Sequence, residues 1–288
     1  MTEPARDADN FCYRHPDRES YVLCQRCGRT ICPECQTQAP VGVHCPECTR
    51  EARQSAPPRR PAIVTALRRG TSSTAPVVTY GLIALCALIY VVQLATGGTG
   101  LGGAATNELI YAPLLTGSEP WRMFTAMFLH GSIWHIALNM YSLLIFGPIL
   151  EHVIGRGRFL VLYLLSGLGG SVAVLFLSDP RTAVLGASGA IFGLLGAFFV
   201  IQRRLGGNSF QLLLVIGLNL VAGFVIPGIA WQAHVGGLLT GALVAFVLVK
   251  TRQRQQRTAQ YLGLFGVLGL LILLTVVGWV WLVARFFA

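Results

Sequence analysis

The sequence predicts an all-α polytopic membrane protein preceded by a small zinc-binding domain, and three observations predict it. Of its 288 residues 53% are hydrophobic and only 12% are charged, against about 25% charged in soluble domains. Seven apolar runs of helix length follow one another between Val77 and Ala284. Seven of the eight cysteines instead crowd between Cys12 and Cys48, in a polar and basic segment. The expected organisation is a zinc-binding domain over residues 1–50, a basic linker over 51–74, a six-helix core over 75–250 and an extra transmembrane helix over 251–288.

The cysteines form four hooks of one spacing: Cys12-x2-His15, Cys24-x2-Cys27, Cys32-x2-Cys35 and Cys45-x2-Cys48. A short turn of this kind lets two side chains meet one tetrahedral zinc at about 2.3 Å (S) or 2.0 Å (N). Eight ligands fill two closed sites with no position left for water. Both zincs are therefore expected to be structural, with no cofactor for catalysis. Seven cysteines cannot pair completely as disulfides, and the expected cytoplasmic location is reducing. His44, next to Cys45, is an alternative ligand that spacing leaves open. The segment resembles B-box-type zinc fingers, which implies that Cys12, His15, Cys32 and Cys35 share one ion and Cys24, Cys27, Cys45 and Cys48 the other. So small a domain lacks a large core, and metal supplies most of its folding free energy. Its expected role is regulation, or interaction with a cytoplasmic protein partner.

From Arg50 to Thr74 the chain is rich in Pro, Arg and Ser and reads as a linker. Its basic end (Arg59, Arg60, Arg68, Arg69) suits an anionic cytoplasmic leaflet. The first sixty residues contain no apolar core of a signal peptide, so the N-terminus is expected to stay in the cytoplasm. The net charge of +10 describes topology, with no nucleic-acid partner implied.

The apolar runs are Val77–Thr96, Trp134–Glu151, Phe159–Leu177, Ser188–Ile201, Phe210–Ile226, Trp231–Val249 and Tyr261–Ala284. Most approach the length of about 20 residues that a bilayer requires. Arg156 and Arg158 follow span two, Arg203 and Arg204 span four, and Lys250, Arg252, Arg254 and Arg257 span six. Basic gaps face the cytoplasm. The expected topology is seven spans, N-terminus inside and C-terminus outside, in a plasma membrane of bacterial type. Spans two, four and six then run in one direction, which brings Ser188, His234, His135 and Asn139 to one membrane face. Span four is short, so its serine end is expected below the outer surface, where polar side chains mark a functional site.

Ser188 lies in Gly186-Ala187-Ser188-Gly189, and His234 precedes Gly237 and Gly241 on another apolar run. Small residues three or four apart let membrane helices approach closely. Two such helices can set a histidine base against a serine nucleophile. No acidic residue is placed to orient His234, so a dyad is expected, with Phe192, one turn after Ser188, stacking on the imidazole. The backbone N–H of Ser188 and the side chains of His135 and Asn139, at i and i+4, are candidate donors to an oxyanion.

With these pieces in place the chain from Val77 to Val249 resembles the rhomboid intramembrane serine proteases. The resemblance rests on Trp121-Arg122, His130, His135-x3-Asn139, Gly186-x-Ser188-Gly189 and Ala233-His234-x2-Gly237-x3-Gly241. It implies a six-helix core to which a seventh helix is added, and Ser188 and His234 as catalytic residues. It also implies an oxyanion role for His135 and Asn139, and single-span membrane proteins as substrates, cleaved in or near their transmembrane segments from the outward face. The family often carries tyrosine where this chain has Phe192. Spans two and five, with the loop into span six, are expected as gate elements.

Trp121 and Arg122 are expected to anchor the outer loop, and His130 to hold it to the membrane face. Glu151 is expected in a solvated ion pair with Arg156 and Arg158, and Cys86 as a small buried residue. Two other classes compete with the protease reading. An inactive rhomboid-like client-binding protein typically loses Ser or His, whereas this chain keeps both. A transporter needs broken helices and polar residues at midplane on several spans.

Overall fold

The computed structural model describes residues 10–39, 41–55, 75–99, 102–207, 209–226 and 228–286. Most of the expected linker, including Arg59, Arg60, Arg68 and Arg69, lies outside them. Contacts divide the chain into two compact units, Met1–Arg60 and Pro61–Ala288.

In the first unit β1 (Phe11–Cys12) pairs antiparallel with β2 (His15–Glu19), and β3 (Thr37–Gln38) with β4 (Val43–His44). Helix α1 (Pro46–Ser55) follows. The cysteine hooks sit at turns. Cys24 N–H donates to Arg29 O, Gly28 N–H donates back to Cys24 O, and Gly28 takes the left-handed φ of 74° that closes this knuckle. The interior holds Cys12, Cys24, Cys32, Cys35, Cys45 and Cys48, with Ile31 as the one buried aliphatic side chain among the described residues of this unit.

Among the described residues the second unit is helical apart from connections and one isolated β-bridge between Tyr111 and Val184. Its main helices are α2 (Val77–Ala95), α5 (Ile133–Ile154), α6 (Arg156–Leu177), α7 (Ser188–Arg204), α8 (Phe210–Val225), α9 (Trp231–Lys250) and α10 (Arg257–Phe286), with the short α3 (Ala104–Leu109) and α4 (Arg122–Thr125) between α2 and α5. Among the described residues five stretches are long and apolar enough to cross a membrane: α2, α5, α6, α9 and Arg254–Phe286. Helices α7 and α8 coincide with the other two expected spans but have only 17 and 16 residues. At 1.5 Å per residue they cover about 25 Å of a hydrocarbon core near 30 Å. Helix α7 continues beyond the expected Ile201 through Gln202, Arg203 and Arg204, because straight polar side chains extend a helix as readily as apolar ones.

Helix α6 lies at the centre, burying Phe159, Leu162, Tyr163, Val174 and Leu175 against α2, α7, α9 and α10. The closest approach is between α7 and α9. A Cβ on Gly237 would stand 1.9 Å from Gly189 O, and one on Gly241 2.0 Å from Gly193 O. Only glycine lets these backbones touch, and the contact falls one residue after Ser188 and three after His234. Sequence spacing here becomes site geometry.

One expectation is overturned. Glu151, in the last turn of α5, is 3% exposed. Its carboxylate accepts from Val78 N–H (3.0 Å), Thr79 N–H (2.8 Å) and the Thr79 hydroxyl (2.7 Å). It caps the N-terminus of α2, satisfying amides that no intrahelical carbonyl reaches and matching the positive end of the helix dipole. Arg156 stands 4.0 Å away, while Arg158 donates to Gln260 on α10 (2.7 Å). The carboxylate is thus a buried cap instead of a solvated pair partner, because unbonded amides beside lipid are costlier than one charge bound to three donors.

Candidate active site

Ser188 is the first residue of α7 and His234 lies in the first turn of α9. Ser188 Oγ and His234 Nε2 are 2.9 Å apart, within the reach that a nucleophile and its base require. His234 is 7% exposed, and among the described residues nothing pairs with its Nδ1. The Phe192 ring lies over the imidazole instead, 4.1 Å between centroids and 9° from parallel. Phe192 is one turn beyond Ser188 on the same helix, so nucleophile and stacking ring share a rigid support.

The segment entering α7 is held from outside. Val184 and Tyr111 exchange both backbone bonds, and Gly186 N–H donates to Ala126 O (2.9 Å). Gly186 has φ 128°, a region that side chains avoid. A Cβ there would also stand 2.7 Å from His135 Nε2, while Ser188 Oγ is 3.8 Å from the same point. Glycine therefore lets the His135 ring lie across the turn beside Ser188. His135 is also edge-on to His130, with ring centroids 5.2 Å apart.

Asn139, one turn along α5, is 7% exposed. Its Nδ2 donates to His135 O (2.8 Å), and an amide nitrogen has a second N–H to give. His135, Asn139, Gly186, Ser188, Phe192 and His234 all line one cavity of about 680 Å³. A serine hydroxyl, two imidazoles and a carboxamide thus border one cavity.

The connection between α2 and α5 is built on Arg122, which is 5% exposed. Its guanidinium donates to Glu119, to Asn107 O and to Ile110 O, and pairs with Glu108 at 3.6 Å. Trp121 is mostly exposed, beside this hub. His130 is fully buried, and its backbone N–H donates to Gln93 Oε1 (3.0 Å). Gln93, late in α2, was not singled out from the sequence, although a carboxamide in an apolar span is a signal in its own right.

In the first unit two groups of ligand atoms come together, each within 4.8 Å: Cys12, His15, Cys32 and Cys35, and Cys24, Cys27, Cys45 and Cys48. His15 Nδ1 stands 3.7, 3.4 and 3.5 Å from the sulfurs of Cys12, Cys32 and Cys35. Cys27 and Cys45 sulfurs are 3.8 Å apart. A tetrahedral ion with S and N bonds of about 2.3 and 2.0 Å has S···S and N···S edges of about 3.8 and 3.5 Å. Both groups therefore fit a metal ion. Backbone amides of Cys45 and Cys48 donate to the sulfurs of Cys24 and Cys45, the outer support that thiolate ligands use. Burial first, then hydrogen bonds with and the charge of Cys12 and Cys32, pushes the Cys35 thiol up to about 11. A cation among these sulfurs reverses that repulsion. His44 stands outside both groups, in β4 opposite Thr37.

The fold and site define a class: a polytopic helical membrane protein with a serine–histidine pair lining a cavity of mostly apolar walls. A model of the rhomboid domain matches residues 117–251. The chain is 38% identical over 155 residues to the RHOMBOID-like protein 6, mitochondrial, of Arabidopsis thaliana, which is 51% of this chain and 50% of that one. It is 36% identical over 187 residues to the rhomboid protease GluP of Bacillus subtilis, 60% of this chain and 35% of the relative. A second Bacillus subtilis relative, YdcA, is 33% identical over 143 residues, 48% of this chain and 71% of its own length. The chain belongs to the rhomboid family. It spans half or less of the length of the first two relatives.

Proposed function

We propose that this protein is an intramembrane serine protease that hydrolyses peptide bonds in or near transmembrane segments of other membrane proteins. The observation that carries the reading is the 2.9 Å contact between Ser188 Oγ and His234 Nε2, beneath the Phe192 ring and inside a cavity. The family, with a named protease among the relatives, supports it.

Ser188 Oγ attacks the peptide carbonyl carbon while His234 Nε2 takes its proton. The oxyanion that forms takes hydrogen bonds from Ser188 N–H, His135 Nε2–H and the second N–H of Asn139. Each such donor is worth about a hundredfold or more in rate. His234 then protonates the leaving amine as the C–N bond breaks, which leaves an acyl group on Ser188. Water attacks that ester, gives its proton to His234, and the acid departs as Oγ is reprotonated. Phe192 orients the imidazole in the absence of an acidic partner, and Gly237 keeps α9 close enough for the dyad to form. Gly186 and His130 support the His135 ring.

A transmembrane substrate must unwind before Ser188 can reach a helical amide, because its own hydrogen bonds shield it. Helices α5 and α8, with the segment into α9, are its proposed entrance. We place the protein in the plasma membrane of a bacterium, with Met1 inside, the last helix ending outside and the catalytic cavity opening outward. In the N-terminal domain two structural zinc ions are held by the two ligand groups. One group offers three thiolates and an imidazole and the other four thiolates, both of them soft tetrahedral sets that zinc prefers. The partner of this domain is a cytoplasmic protein.

The test is labelling of detergent-solubilised protein with a fluorophosphonate serine probe, which requires no known substrate. Labelling of the wild type that disappears in both Ser188→Ala and His234→Ala is the expected result. A folded wild type that never labels points instead to a client-binding protein without catalysis.

A further inference from the structure

From the hydrogen-bond chain that ends at the His135 ring, we infer that Gln93 is a positioning residue for the oxyanion site. The inference rests on the proposed function and concerns how one donor of that site is aimed.

Gln93 is fully buried near the end of α2. Its carboxamide orientation follows from its partners. The His130 backbone N–H can only donate, so the atom 3.0 Å from it is Oε1. Nε2 then faces Thr106 Oγ1 at 3.0 Å, and that hydroxyl spends its own proton on Gly98 O at 3.2 Å. The carboxamide cannot flip without setting its NH2 group against the His130 N–H, donor against donor.

Holding the His130 amide fixes the peptide that follows it. Gly131 N–H points at His135 Nδ1, 3.3 Å away. A backbone amide has no alternative but to donate, so Nδ1 is the bare nitrogen and the proton of the neutral ring sits on Nε2. Nε2 is the atom that lies across Gly186 beside Ser188. The Nε2–H tautomer is the one able to donate to an oxyanion; the opposite tautomer would present a lone pair to negative charge. Gln93 thus sets the direction and protonation of a group it never touches, through the backbone of His130 and Gly131. Ser132 completes the arrangement by accepting from His135 N–H at 3.1 Å, which starts α5 at this point.

The experiment measures the second-order rate of fluorophosphonate labelling, since the phosphonyl oxygen occupies the oxyanion position. It compares wild type, Gln93→Leu, Thr106→Val, His135→Ala and the Gln93→Leu/His135→Ala double variant, each with its melting temperature. Gln93→Leu removes the acceptor for His130 and is expected to slow labelling about tenfold or more. Thr106→Val cuts the other end of the same side chain and leaves that acceptor in place; it is expected to lower the melting temperature with labelling within about threefold of wild type. In the double variant the Gln93 substitution adds nothing to the loss caused by His135→Ala, because both act on one hydrogen bond.

Equal labelling of Gln93→Leu and wild type overturns the inference, and so does a double variant whose loss is the product of the two single losses. If Gln93→Leu does not fold, Gln93→Asn withdraws the oxygen by one methylene and is read in its place against the same outcomes. Failure of the underlying protease reading is distinct, because wild type itself then does not label, whereas failure of this inference leaves wild type labelling and Ser188→Ala silent.

Discussion

The two units of this chain solve the same problem, holding a few polar groups in fixed positions, by opposite means. Among the described residues of the N-terminal unit the buried apolar cluster is six cysteines and one isoleucine, so little apolar area is available and the cysteine sulfurs themselves make the core. In the helical unit Ser188 and His234 sit beside backbones that touch at Gly189–Gly237 and Gly193–Gly241, and packing holds the polar groups as passengers. The first unit offers two ligand groups that fit a metal ion; the second depends on what it lacks, namely side chains at the crossing.

The largest effect should come from removing metal. A strong chelator is expected to unfold residues 11–55, with a loss on the order of 10 kcal/mol of apparent stability, while the melting of the helices and the labelling of Ser188 stay unchanged. Circular dichroism and hydrogen exchange on the full chain check both halves; a head that keeps its exchange protection after chelation would contradict the contrast. Next is Gly237→Ala, whose new methyl meets the Gly189 carbonyl, a backbone atom that cannot swing away. It is expected to cost about 3 kcal/mol or more, lowering the helical melting temperature and the labelling together without releasing metal.

Glu151→Gln keeps the shape of the α2 cap but removes its charge. A loss of about 1–3 kcal/mol is expected, seen in thermal melts, with labelling per folded molecule preserved. Phe192→Leu should act on rate more than stability, slowing labelling several-fold as the imidazole loses its stack; unchanged labelling would show that another group holds His234. The smallest effect belongs to Gly217→Ala on α8, where the new methyl meets nothing within 4 Å. It is expected to shift stability by less than about 1 kcal/mol, in the stabilising direction. A large loss there would mean that openness at a glycine does not separate structural from permissive positions.

Much of this was readable from spacing. Hooks of two intervening residues announce metal ligands because a turn of that length has few geometries. Glycines four apart around Ser188 and His234 announce a close crossing because nothing else permits one, and the stacking of Phe192 on His234 follows from one helical turn. What spacing could not supply was any relation between segments far apart in sequence whose only link is hydrogen bonding. Glu151 read as one member of a surface ion pair because its charged neighbours are local, and the amides it caps are more than seventy positions away. Arg122 was assigned to the loop but not as its buried hub. Gln93 gives no local signal because its partners, Thr106 on the short α3 and the backbone amide of His130, are reached only through tertiary hydrogen bonds.

The sequence by itself determined the class of fold, the positions of the long apolar helices and the residue types that meet at the site, because hydrophobic length, helical period and metal-hook spacing are local quantities. Only the tertiary structure decided which sulfurs share a group, that His44 shares neither, which carboxylate caps which helix and which nitrogen of His135 the Gly131 amide faces. Those are fixed by the requirement that every buried donor find an acceptor, a condition on the whole assembly that no single stretch of chain can satisfy or reveal.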